Sequence, residues 1–307
     1  MALLDESANG VFIIAATPFS DNGALDLKSV DRMVDFYLER GANGLTILGV
    51  MGEAPKLTEE ESRVFISRAI QRAGGAPVIV GVSAPGLASI RTLAASAMDS
   101  GAAGVMVAPP GHLRSDDQTF AYFESVADTL GSTPFALQDY PLATQVQIPP
   151  KVILRIVEAL PTCVMLKHKD WPGLAKITAV RAASDGGARR ISILTGNGGL
   201  FLPEELERGA DGAMTGFAYP EMMVGAVKAF HAGDPERARD IFDAYLPLAR
   251  YEQQPGLGLA VRKHILAKRG AIASPALRRP GATLSPADIA EVERLIARQA
   301  RRLSEIG

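Results

Sequence analysis

Cys163 is the only cysteine in the chain. A single thiol excludes a disulfide framework and any Cys-rich zinc or iron–sulfur site. Histidine is scarce as well: His112, His168, His231 and His264 show no H-x-H or i,i+4 spacing, which argues against a catalytic metal. Neither sign of charge dominates. Lys plus Arg number 32 and Asp plus Glu 34, so nothing electrostatic calls for nucleic acid or an anionic membrane. No apolar run reaches the length that a membrane span needs. The first residues carry Asp5 and Glu6 where a secretory signal has positive charge, and the apolar run after Gly10 breaks at Thr17-Pro18. A soluble, cytoplasmic protein is expected.

What the chain does have is a repeating alternation. Short apolar, β-branched runs begin near Val11, Gly44, Val78, Gly104, Pro134, Val164, Ile191 and Gly212. Each is nearly continuous in hydrophobicity, as a parallel strand buried on both faces should be. Amphipathic stretches separate them. One opens with Thr58 and Glu61, the spacing of a capping box. Others end at Gly41, Gly101, Gly131 and Gly209, where glycine relaxes into the left-handed conformation. Eight strands, each followed by a helix, predict an α/β fold closed as a (β/α)8 TIM barrel. An open doubly wound sheet is the alternative, but G-x-G-x-x-G is absent after the first strand and no linker splits the series. Beyond residue 233 the pattern turns helical, with N-cap chemistry at Ser285-Pro286 and Asp288. The expected domains are a barrel over 8–232 and a helical C-terminal extension over 233–307.

In such a barrel the chemistry lies at the C-terminal ends of the strands. Lys167 continues the apolar run Val164-Met165-Leu166, so it belongs to the strand itself. A lysine directed into the barrel loses hydration, and desolvation favours the neutral amine that attacks a carbonyl carbon. The plain alternative is a lysine that points outward or pairs with Asp170. Lys169 shares its parity and competes with it, but is expected nearer the exposed end of the strand. Tyr140, at the end of the fifth strand, is a candidate proton-transfer group. Gln138 has the same parity and could orient a ligand. The loop Gly49-Val50-Met51-Gly52-Glu53 offers backbone N–H groups, as does the Gly196-Asn197-Gly198-Gly199 turn, where a phosphate could bind. Val50, Met51, Gly196 and Met214 join Gln138 as candidate substrate contacts.

The ordered set ATPF, LGVMGEA, APPG, QDYP, MLKHKD, LTGNGG and GADGAMTG resembles the dihydrodipicolinate synthase / N-acetylneuraminate lyase family, over most of the chain. The resemblance implies a Schiff base between Lys167 and the keto carbon of pyruvate or a related 2-oxo acid, with no cofactor. It also implies a homotetramer built as a dimer of dimers. The chain departs from the family pattern in its hydroxyls. Val50 and Met51 occupy positions that are usually Thr or Ser. Gln138 occupies the strand-five tyrosine position, with Tyr140 two residues later. Gly111 or Pro110 stands where the synthases place a second tyrosine. Leu142-Ala143-Thr144 lacks the arginine that holds an aldehyde's carboxylate, which counts against lysine biosynthesis. Gly198 and Gly199 lack the acids that hold a sugar's hydroxyls. The expected activity is therefore that of a Schiff-base lyase on a 2-oxo acid, with a less polar pocket. The rivals are a small-acid-binding barrel without turnover and a phosphate-binding barrel enzyme.

Overall fold

The structure, a computed structural model, describes residues 2–171 and 173–307. Among them the strands β1 (Gly10–Ile14), β2 (Gly44–Ile47), β3 (Val78–Gly81), β4 (Gly104–Val107), β5 (Phe135–Asp139), β6 (Cys163–His168), β7 (Ser192–Thr195) and β8 (Gly212–Thr215) form one closed parallel barrel in sequence order. The seam between β1 and β8 pairs Gly10 with Gly212. There Gly212 has a φ of +150°, and a Cβ on it would lie 1.9 Å from the Gly10 carbonyl oxygen, so glycine is what lets the sheet close.

Around the barrel run α1 (Leu27–Glu39), α2 (Glu59–Ala73), α3 (Leu87–Asp99), α4 (Asp116–Leu130), α5 (Pro141–Thr144), α6 (Pro150–Ala159), α7 (Leu174–Asp185), α8 (Leu202–Glu207) and α9 (Pro220–His231). The capping box of α2 is present as expected, with Thr58 accepting from the Glu61 N–H and Glu61 from the Thr58 N–H. Gly41, Gly101, Gly131 and Gly209 all have positive φ. After residue 233 follow α10 (Pro235–Glu252), α11 (Gly258–Lys268) and α12 (Pro286–Ile306), the last with a capping box at Ser285 and Asp288. Among the described residues no helix is long and apolar enough to cross a membrane.

Strand alternation sorts the side chains into two cores. Val11 and Ile13 of β1 pack outward under the helices, while Phe12 and Ile14 pack inside the barrel with Ile79, Met106, Ala136, Met165, Leu194 and Met214. Leu4 closes the far end of this inner cluster and donates its N–H to the Ala103 carbonyl at 2.8 Å. The period of two therefore sets the direction of the polar residues. On β6, Met165 faces inward and so does Lys167. On β5, Ala136 faces inward and so does Gln138.

Candidate active site

A cavity of about 630 Å³ opens at the C-terminal end of the barrel, and Lys167 lines it. The side chain is only 4% exposed. Gln138 is its register partner on β5, and Lys167 Nζ donates to Gln138 Oε1 at 3.2 Å. A neutral amide contributes no charge to hold the ammonium. Burial, and secondarily the neighbouring Lys169 charge, place the Lys167 amine well below the ordinary lysine range. Asp170 is no counter-ion for it. That carboxylate pairs with Lys176 of α7 at 2.8 Å, and Lys176 also reaches Asp139 at 2.7 Å on the outer side of the barrel.

Val50, Met51, Gln138, Tyr140 and Met214 line the same cavity. Gly196 does not line it. It stands behind the wall, where a Cβ would meet Lys169 Cγ at 2.2 Å, so its bare backbone makes room for the Lys169 stem. Tyr140 is half-buried, and burial raises its phenol above the usual tyrosine range. The ring presents its face to Lys169 Nζ, 3.6 Å from the centroid.

The loop after β2 forms a 3₁₀ turn over Val50–Gly52. The Gly52 and Glu53 N–H groups are engaged by Gly49 and Val50 carbonyls, while those of Val50 and Met51 have no partner among the described residues. The Val50 side chain is 58% exposed at the rim. Glu53, by contrast, is buried. It accepts from Lys263 Nζ at 2.6 Å, Lys56 Nζ at 2.8 Å and the Arg278 N–H at 3.2 Å, which ties this loop to the C-terminal segment.

The turn after β7 corrects one expectation. The N–H groups of its two later glycines are not available to a ligand: Gly198 N donates to Thr215 Oγ1 at 2.8 Å and Gly199 N to the Gly196 carbonyl at 2.9 Å, and Leu200 N beyond them goes to the Asn197 carbonyl at 3.3 Å. Asn197, Gly198 and Gly199 all have positive φ, so the motif serves as a tight turn. The phosphate-binding rival loses the two glycine N–H groups on which its anion loop would rest. Among the described residues, no cluster of three His, Cys, Asp or Glu side chains could hold a metal. Cys163 is fully buried, and burial pushes its thiol up to about 12.

Three features of the cavity were not legible in the motifs. Lys169 does not stand at an exposed end: it is half-buried on the cavity wall, and burial, helped by Arg262, pushes its amine down to about 7. Arg262 of α11 is 1% exposed and also lines the cavity, as do Glu252 and Gln253 from the end of α10. The absence of arginine after Pro141 is real, yet the fold supplies cationic groups to the cavity from elsewhere in the chain. One sequence signal pointed that way. Residues Ala260, Val261, Arg262, Lys263, Ile265 and Leu266 are all buried, so α11 has apolar residues around its circumference with two adjacent basic residues among them.

Residues 7–299 match the dihydrodipicolinate synthetase family. The chain is 30% identical over 288 residues to an L-2-keto-3-deoxyarabonate dehydratase of Azospirillum brasilense, covering 92% of each protein. It is 30% identical over 246 residues to a 4-hydroxy-tetrahydrodipicolinate synthase of Thiobacillus denitrificans, covering 79% of this chain and 81% of that one. The crystal structure of a dihydrodipicolinate synthase from Rhodopseudomonas palustris superposes with a TM-score of 0.96 at 52% identity, over 97% of this chain and 100% of the other. The closed eight-stranded barrel, the near-complete span of the match and the lyase chemistry of the relatives agree: the chain is an enzyme of the lyase class and belongs to the dihydrodipicolinate synthetase family.

Proposed function

We propose that Lys167 is the nucleophile of a class I lyase that forms an imine with a 2-oxo acid. One observation carries this reading: a lysine amine faces the barrel cavity, desolvated, with a neutral amide as its hydrogen-bond partner. The amine lone pair forms the C–N bond at the keto carbon, and the carbonyl π pair moves to oxygen. The Tyr140 phenol, kept protonated by its raised pKa, gives that oxygen one proton, takes one from the new ammonium nitrogen and passes it on to the same oxygen, which then leaves as water to give the iminium. The iminium then accepts the electron pair released when a C–H, C–O or C–C bond breaks further along the substrate. The imine is the electron sink, so the reading needs no cofactor and no metal. The N–H groups of Val50 and Met51, unpartnered among the described residues, suit the substrate's C1 carboxylate, and Met51 and Met214 give the adjoining wall an apolar character. The family resemblance adds a homotetramer, which sedimentation velocity would read directly.

Borohydride reduction with pyruvate, followed by peptide mapping, should place the adduct on Lys167 and lose it in Lys167→Ala. An adduct on Lys169, or trapping undiminished in the variant, refutes the assignment. The loop's missing hydroxyls favour one second reading, a barrel that binds the acid without turning it over. Imine trapping with no exchange of the substrate's C3 hydrogens into deuterium oxide would support it.

A further inference from the structure

The cavity that holds Lys167 also holds hydrogen-bond donors that the protein leaves without acceptors. Arg262 donates from Nε to Glu252 Oε1 at 2.6 Å and from Nη2 to the Gly216 carbonyl at 2.5 Å. Its Nη1, fully buried, has no partner among the described residues. A Cβ on Gly216 would lie 2.2 Å from this Nη1, so glycine there keeps the space for it. Gln253 Nε2 is buried and unpartnered in the same way. Lys169 Nζ rests on the Tyr140 ring and forms no ion pair with a described carboxylate. Glu252 is the one carboxylate among the described lining residues. Both its oxygens are engaged, Oε1 by Arg262 and Oε2 by the Ala218 N–H at 2.9 Å.

Buried donors without acceptors are costly, and a ligand oxygen removes that cost. Here Arg262 and Lys169, the latter partly charged near neutral pH, face one carboxylate, so the wall favours a negative ligand, which in turn favours the charged form of Lys169. Guanidinium, ammonium and amide N–H groups together match the several lone pairs of an oxyanion.

We propose that Lys169, Arg262 and Gln253 form a second anion subsite, which takes a terminal carboxylate or phosphorus oxyanion at the end of the substrate remote from the keto group. The enzyme then selects doubly charged 2-oxo acids. This rests on the imine reading above, in which the C1 carboxylate and keto carbon lie at the Val50–Met51 loop and Lys167.

The test uses borohydride trapping on the full-length protein with three probes of similar length: 2-oxopentanoate, 2-oxoglutarate and 4-phosphono-2-oxobutanoate. Intact-mass spectra give the half-saturating concentration for each. The two doubly charged probes should half-saturate at concentrations lower by about tenfold or more. The better of the two identifies the oxyanion. Lys169→Met should shrink the ratio to roughly threefold or less, and Arg262→Lys, which keeps the charge but loses the Nη1 donor, should also reduce it. The ratio is the readout because loss of Lys169 also changes the Lys167 amine, which affects every probe alike. Equal half-saturation by all three probes, or a ratio unchanged in both variants, overturns the subsite while leaving the imine reading intact. Failure of every probe to add to Lys167 overturns the imine reading and the subsite with it.

Discussion

Glu53→Gln should destabilise the protein, and the cost depends on Lys263. The Lys263 ammonium is fully buried and has two oxygen partners, Glu53 Oε1 at 2.6 Å and the Ala276 carbonyl at 2.8 Å. Glutamine keeps the shape of the side chain and removes the counter-charge. Leaving a buried charge without its partner costs about 3–5 kcal/mol. At roughly 2.1 cal/mol/K of unfolding entropy per residue, that lowers the Tm of a chain this long by about 5–8 °C. Lys263→Met should cost less, because Glu53 keeps Lys56 and the Arg278 N–H. In the double variant the stranded charge is gone, so the combined loss should fall short of the sum by about 2 kcal/mol or more. Burial already lowers the Lys263 pKa in spite of the Glu53 charge. A lysine with a lowered folded pKa binds fewer protons than in the unfolded chain, so stability rises with pH below the unfolded value. Without Glu53 the pKa falls further, so the Tm deficit of Glu53→Gln should be smaller at pH 9 than at pH 7. Thermal melts of the four proteins at both pH values check this. Additive losses, or a deficit independent of pH, would refute the reasoning.

Tyr140→Phe should lower turnover by about 10²–10⁴-fold while borohydride still captures the substrate on Lys167; unchanged turnover would reduce Tyr140 to packing. Glu205 is buried with Oε2 unpartnered among the described residues, and burial raises its pKa to about 8. An acid with a raised folded pKa contributes stability that is lost as pH climbs from its unfolded value through the folded one. Glu205→Gln should therefore melt like the parent at pH 5 and above it at pH 9, and equal Tm values at pH 9 would contradict the shift.

The barrel was legible in the sequence because its information is local. Eight apolar runs separated by amphipathic stretches specify the strands and helices, and the period of two directs Lys167 and Gln138 inward with Met165 and Ala136. The capping residues Thr58 and Ser285 could be read for the same reason, since their partners stand three residues away. The polar inventory of the cavity was not legible, because it depends on which distant segments pack together. Lys263 meets Glu53 across 210 residues of chain, and Arg262 reaches the Gly216 carbonyl across 46. The same holds for amides: the N–H groups of the Gly196–Gly199 turn look available in the sequence, but folding gives Gly198 to Thr215 of the next strand. Lys169 shows the point most sharply. Parity placed it on the same side as Lys167, but only the closure of Arg262, Tyr140 and Gly196 around it buries the amine and turns an apparent surface charge into part of the cavity wall. Side-chain direction follows from backbone periodicity, whereas desolvation and pairing are set by long-range packing.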